Sequence, residues 1–367
     1  MSCTNNVRFF YCIGHGVMLR CQKVFSGGNI MKKSSRLLTI ALGICLAVVL
    51  TACGGGNSGG NGGGGDDDNP QSAPEKTTFT VGICQLVQHD ALDAATQGFR
   101  DAITEELGDS VIFDEQNGSG DSATCATICN GFVSNNVDLI MANATPALQA
   151  AVASTDQIPI LGTSVTEYGA ALGIDNFSGV CGNNVSGTSD LPPLDEQAKM
   201  IKDLLPEAKT VGIIYGNSEV NSIYQKDVMT TELEKLGLTV NSYGFTDSND
   251  VSLVSQTACE ENDVLFIPTD NKAADNADAI DAIARQTKTP IVAGEEGICV
   301  KCGVATLTID YYQLGQATGK MAVKILLGEA DVSTMAIEYD PNPVKKYNKE
   351  LAELYGVTIP DDYIALN

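Results

Sequence analysis

Histidine is nearly missing from this 367-residue sequence, which holds only His15 and His89. A metal centre or a general base built on imidazole therefore has almost nothing to draw on. Two cysteine spacings, Cys125-x-x-x-Cys129 and Cys299-x-x-Cys302, resemble ligand pairs. Such sites usually need further thiols or imidazoles, so no metal is expected. No Gly-x-Ser-x-Gly nucleophile elbow stands between a strand and a helix, and no Gly-x-x-x-x-Gly-Lys phosphate loop occurs. These absences speak against an enzyme and against a bound cofactor. His89, at the start of a helical pattern, suits a cap or a cleft edge better than general-base work.

Positive charge is scarce as well, with 22 Lys and Arg against 46 Asp and Glu. Six of the cations (Arg8, Arg20, Lys23, Lys32, Lys33 and Arg36) precede Cys53 and no acid does, so a chain beginning at Cys53 carries a formal charge of −30. Such a chain repels phosphate backbones, which makes nucleic acid a poor partner, and none is expected.

The third absence is a long apolar run. Leu37 to Leu50 is shorter than the roughly 20 residues a spanning helix needs. It follows a basic start (Met31, Lys32, Lys33, Arg36) and ends in Leu50-Thr51-Ala52-Cys53, the pattern of a lipoprotein signal in which the Cys53 thiol receives the lipid. Residues 1–52 are accordingly read as an upstream segment and signal peptide, with a start codon set too early as the simplest account of residues 1–30. Residues 53–76 are read as the lipidated cysteine and a tether: Gly54 to Gly65 forms a flexible coil that Asp66, Asp67 and Asp68 extend by repulsion. The expected location is extracytoplasmic, lipid-anchored to the cell membrane. Seven cysteines remain beyond Cys53, an odd number that cannot all pair within the chain. Structural disulfides and buried free thiols both stay open.

What is present is a plan stated twice. "TVGICQL" (Thr80 to Leu86) returns as "TVGIIYG" (Thr210 to Gly216), "DLIMANATP" (Asp138 to Pro146) as "DVLFIPTDN" (Asp263 to Asn271), and "IPILGTS" (Ile158 to Ser164) as "TPIVAGE" (Thr289 to Glu295). Each phrase is a short β-branched run ending in small or polar residues, as in a strand buried in a parallel sheet. Helical patterns lie between them, at residues 90–106, 122–134, 146–154, 219–236, 251–259 and 273–287. The expected fold class is α/β, two similar doubly wound parallel-sheet lobes joined by a hinge. "GNNVSGTSDLPPLDEQ" (Gly182 to Gln197) is the natural passage between lobes, and the helix from Tyr311 should return to the first. The expected lobes are 77–188 plus 310–332, and 189–309 plus 333–367.

Ligands of open α/β sheets bind beyond the carboxyl ends of the strands. In the first lobe those ends offer amides and hydroxyls, Gln85, Asn117, Thr145, Ser164 and Thr166, with Val165 between the last two. Thr145-Pro146 reads as a cap and helix start, whose free N–H groups suit a carboxylate. The second-lobe set, Tyr215, Asn217, Glu219, Asp270, Asn271 and Glu295, carries acids able to neutralise an ammonium. Those acids equally fit the commonplace role of capping helix starts. A zwitterion fits the pair of rims.

The phrases "VGICQLVQHDALDAATQGFRDAI", "DLIMANATPALQAAV", "GNNVSGTSD", "GIIYGNSEVNS", "FIPTDN" and "DYYQLGQATGKMAVKIL" together resemble ABC-transporter substrate-binding proteins of the tryptophan and tyrosine importer type. That resemblance implies a type I periplasmic-binding-protein fold, a small-molecule ligand (an aromatic or other apolar amino acid), and an ABC permease with its ATPase as partners, the receptor itself a monomer. It further implies that Thr145, Ser164, Thr166, Ser189, Asp190, Glu219, Asn221, Asp270 and Asn271 line the cleft. Where relatives commonly read Asp-Pro, this chain has Glu167-Tyr168, followed by the insert "FSGVCGNN". Tyr168, Tyr215, Tyr224 and Tyr311 are candidate ring partners. The alternatives are a sensory ectodomain, an ABC receptor for a purine, peptide or sugar, and an extracellular hydrolase, which the missing histidines disfavour.

Overall fold

The structure is a computed structural model that describes residues 78–366. The signal, Cys53 and the tether lie outside the described residues. The chain opens with β1 (Phe79–Gln85), α1 (Asp90–Leu107), β2 (Val111–Asn117), α2 (Ser122–Ser134), β3 (Leu139–Asn143), α3 (Thr145–Ser154), β4 (Ile160–Val165), α4 (Tyr168–Leu172) and β5 (Val185–Ser189). It then crosses into a second series: α5 (Leu194–Leu204), β6 (Thr210–Gly216), α6 (Val220–Lys235), β7 (Thr239–Phe245), α7 (Ser248–Glu261), β8 (Val264–Ile267), α8 (Asn271–Asp275), α9 (Ala277–Thr287), β9 (Ile291–Ala293), α10 (Glu296–Lys301) and β10 (Ala305–Thr308). The chain returns with α11 (Tyr311–Leu326) and β11 (Glu338–Tyr339), and ends with β12 (Val344–Tyr347), α12 (Lys349–Tyr355) and β13 (Ile364–Ala365).

Two sheets result. The first, ordered β11-β5-β4-β3-β1-β2, is wholly parallel, and the second, β13-β12-β10-β9-β8-β6-β7, is parallel except where β12 meets β10. Every residue of β3, β4 and β8 is buried, because helices cover both faces of a crossover-built sheet. In the first lobe, Val81, Ile83, Phe99, Leu139 and Met321 form the core under α1 and α11, while Cys84, Cys129, Phe132, Ile140 and Leu148 form the one under α2 and α3. The second lobe likewise carries one core under α5 and α6 and another under α7 and α9.

The lobes are joined by three passages, after β5, β10 and β11. The third comes later than residue 332, where the sequence reading placed it. Glu338 and Tyr339 pair in parallel with Thr188 and Ser189 of β5, so the chain stays with the first sheet through Tyr339. A two-residue exposed strand carries no alternation from which it could be read. The single helix expected over 273–287 is two, broken at Asn276, whose side chain donates to the Lys272 carbonyl at 2.7 Å.

All seven cysteines of the described residues are free thiols, six of them buried and Cys181 half-buried. Among the described residues no group of three or more His, Cys, Asp or Glu side chains is arranged to hold a metal ion, and no helix is long and apolar enough to cross a membrane.

Candidate functional site

The carboxyl ends of the strands of both lobes converge on one buried polar seam. At the end of β4 the pairing with β5 slips between Gly162 and Val165, and Ser164 takes φ 53°, a conformation rarely adopted by residues other than glycine. The Ser164 Oγ is buried with no hydrogen-bond partner in the protein. Beside it, the Asp190 N–H donates to the Val165 carbonyl at 3.3 Å and the Ser189 hydroxyl to the Thr166 carbonyl at 2.7 Å. Thr145 is the first residue of α3 and not its cap. The cap position belongs to Ala144 at φ 87°, which has no acceptor to give, so no side chain caps the first N–H groups of α3.

Asp190 follows β5 and is 2 % exposed. Its Oδ2 accepts from the Tyr311 hydroxyl at 2.9 Å, while Oδ1 has no partner. Burial pushes its carboxyl up to about 6, with the Thr166 and Tyr311 hydroxyls opposing that shift. The Tyr311 hydroxyl also lies beside Thr269 at the end of β8, so it bridges the lobes.

The second-lobe acids are occupied otherwise. Asp270 caps α8, accepting from Ala273 N–H at 2.8 Å, and ties down β6 by accepting from Gly216 N–H at 2.6 Å. Glu219 accepts from Lys272 N–H at 3.1 Å and from the Asn271 amide at 2.6 Å. Glu295 caps α10 through Gly297 and Ile298, each at 2.6 Å. All three are at most 3 % exposed. Burial pushes Glu219 and Glu295 each up to about 7 and raises Asp270 above the usual carboxylate range. Of the two roles considered for these acids, the hydrogen bonds match capping. The open positions of this rim are Asn221 Oδ1 and Thr269 Oγ1, both buried and without partners. Thr269 stands next to Asp270 at the same strand end, in "FIPTDN".

Other expected site residues sit apart from the seam or within packing. Gln85 is used internally, accepting from Thr96 at 2.6 Å and donating to Asp93 at 2.6 Å. Asn217 is exposed and packs over Gly244, and the Tyr215 ring faces the Lys226 ammonium at 5.7 Å. Tyr168 is a core residue, 1 % exposed, donating to the Thr188 carbonyl at 2.9 Å and stacked on Phe177. Its hydroxyl fills space that only Gly162 and Gly187 leave free. Val165 is likewise fully buried.

The lobes are shut over the seam. His89 meets Asn271 across the gap at 3.3 Å, α1 touches α10, and α4 touches α6. Cavities of about 360 Å³ and about 350 Å³ flank it, one lined by Ala91, Ala94, Glu295 and Tyr311, the other by Leu86, Pro146, Glu219 and Lys272.

The family profile described as ABC transporter substrate binding protein matches residues 80–366, nearly all of the described chain. The chain belongs to the ABC transporter substrate-binding proteins. Members of this family work outside the cytoplasm as binding proteins and not as enzymes. This substrate-binding protein is 36 % identical over 304 residues to a tyrosine-binding protein of Clostridioides difficile, a match covering 82 % of this chain and 86 % of the relative. It is 31 % identical to a Streptococcus pneumoniae structure described as an ABC domain in complex with L-Trp, at a TM-score of 0.74 and covering 77 % of this chain and 96 % of the other. Against a ligand-free, open structure of a Clostridium difficile substrate-binding protein with adhesive properties, identity is 36 % with coverage of 79 % and 99 %, yet the TM-score is 0.62. Higher identity with lower overall likeness is what a difference in lobe angle produces, and this substrate-binding protein is on the closed side.

Proposed function

We propose that this substrate-binding protein takes an aromatic L-amino acid, tyrosine or tryptophan, between its lobes and delivers it to the permease of an ABC importer. The observation that carries this reading is that four of the ten buried side-chain polar atoms without partners among the described residues gather at the seam, Ser164 Oγ and Asp190 Oδ1 from one lobe and Asn221 Oδ1 and Thr269 Oγ1 from the other. Buried polar groups are nearly always paired, and leaving one unpaired costs about 1–3 kcal/mol. Four at the strand ends of facing lobes describe the outline of a polar ligand. The printed names of the relatives, one tyrosine-binding and one in complex with L-Trp, support the aromatic class. A ligand that bridges both rims favours the shut arrangement, which is how binding becomes visible to the permease.

Thermal unfolding of ligand-stripped protein against a panel of amino acids tests the reading. Tyrosine or tryptophan at a hundredfold excess over Kd is expected to add about 2.7 kcal/mol, a rise of roughly 5–10 °C for a chain of this size. A panel in which no amino acid raises the midpoint, while a purine, peptide or sugar does, overturns it.

The same proposal places the protein at the membrane through a lipid on Cys53. Replacing Cys53 with serine is expected to move the protein from the membrane fraction to the medium or periplasm. Unchanged membrane association would show that the anchor lies elsewhere.

A further inference from the structure

Four acids are buried in the seam, and hydrogen-bond accounting separates one from the rest. Asp270, Glu219 and Glu295 have both carboxylate oxygens taken, in each case by at least two N–H donors of the protein. Asp190 alone keeps an oxygen free. The local sequence explains why. In Asp190-Leu191-Pro192-Pro193 the Leu191 N–H is given to Ser189 Oγ at 3.2 Å, and the two prolines have no N–H to give. Helix α5 starts only after Pro193, so Asp190 has no helix start to cap.

We infer that Asp190 is the residue that receives the ammonium of the bound amino acid. The inference rests on the amino-acid reading above and assigns to the first lobe a role that the acid-rich rim of the second suggested for itself. Tyr311 holds the carboxylate by donating its hydroxyl at 2.9 Å with the Thr166 hydroxyl beside it, and the charge of Asp190 disfavours ionisation of nearby Glu295. No lysine or arginine is among the groups acting on Asp190. A buried carboxylate with hydroxyl partners and no cation is an unbalanced charge that a ligand ammonium completes. The neighbouring groups fit the rest of the same molecule. Asp190 N–H bonds the Val165 carbonyl next to Ser164, and Ala144 N–H bonds the Thr163 carbonyl at 3.0 Å, which ties the uncapped start of α3 to the same strand. An α-amino acid carries its ammonium and carboxylate on one carbon, so adjacent anion and cation subsites are what it requires.

The test is titration calorimetry of the full chain with L-tyrosine and with 3-(4-hydroxyphenyl)propanoate, which has the same ring and carboxylate but no ammonium. Wild type is expected to prefer tyrosine strongly. Asp190→Asn, nearly isosteric, is expected to lose tyrosine affinity by a hundredfold or more and to bind the propanoate at least as well as tyrosine. An Asp190→Asn protein that keeps tyrosine affinity within threefold of wild type overturns the inference, as does one that melts like wild type yet loses both ligands equally. If the variant does not fold, Asp190→Ser answers with the same two ligands: a hundredfold loss for tyrosine with the propanoate retained supports the assignment, and tyrosine affinity within threefold of wild type overturns it. Wild type that binds neither tyrosine nor tryptophan overturns the ligand reading, and the role of Asp190 with it.

Discussion

Gly315→Val protein is expected to unfold roughly 10 °C below wild type, or to fail to accumulate as folded protein. Gly315 lies on α11 where that helix crosses α1, and a Cβ there would run into the Ala95 carbonyl oxygen. The arrangement is reciprocal: a Cβ at Gly98 on α1 would strike the Tyr312 carbonyl oxygen, and one at Gly319 would stand 2.7 Å from the Phe99 carbonyl oxygen. Three glycines let two helix backbones touch, and a backbone carbonyl cannot yield by changing rotamer. Overpacking of this kind costs about 3 kcal/mol, and a chain of this size loses about 2–4 °C per kcal/mol. Gly131→Ala on α2 is the matched control. A Cβ there meets nothing within 4 Å, so the usual helix preference for alanine should leave stability unchanged or raised by about 0.5–1 kcal/mol. Equal losses from both substitutions would show that close helix contact is not what these glycines serve.

The ligand-free protein is expected to melt at least roughly 5 °C higher at pH 5.5 than at pH 7.5, since folded groups that hold extra protons each contribute about 1.4 kcal/mol per pH unit. Asp190 at about 6 and Glu219 and Glu295 at about 7 keep their protons in the folded protein well above the range near 4 where unfolded carboxyls release them. The stabilisation is therefore complete below about pH 4 and is lost as pH rises through 6 to 7. At Glu295 the two backbone N–H groups favour the ionised form but only partly offset burial. His89 acts in the opposite sense, because burial lowers its pKa and its protonation below about pH 6.5 is resisted by the fold. Three acids against one imidazole decide the direction. A midpoint that climbs steadily from pH 5.5 to 7.5 would refute it.

The two-lobe plan is legible because the buried strands of both series are written in nearly the same words, and because Thr80 to Leu86 and Thr210 to Gly216 each announce a strand buried on both faces. What escapes the sequence is information that neighbours in space supply. Glu338-Tyr339 becomes a strand only because β5 offers it an edge. The role of Asp270 was within reach. "TDNKAAD" is an acid at the head of a helix, the ordinary signature of a cap, and the hydrogen bonds follow it. Asp190 was distinguishable on the same grounds, since an acid followed by Leu-Pro-Pro has no helix to cap. Charge at a strand end is therefore a weak sign of ligand contact until the local N–H donors have been assigned. The φ of Ser164 was out of reach, because nothing in "GTSVT" asks for it.

Leaving aside half-buried Cys181, the six buried thiols divide evenly, with Cys84, Cys125 and Cys129 sealed in one lobe and Cys259, Cys299 and Cys302 in the other. A small alkylating reagent reaches them only when the lobe that holds them comes apart. Each half of the molecule thus has its own chemical stopwatch, and the rates at which the two sets are labelled report whether the halves fail together or one at a time.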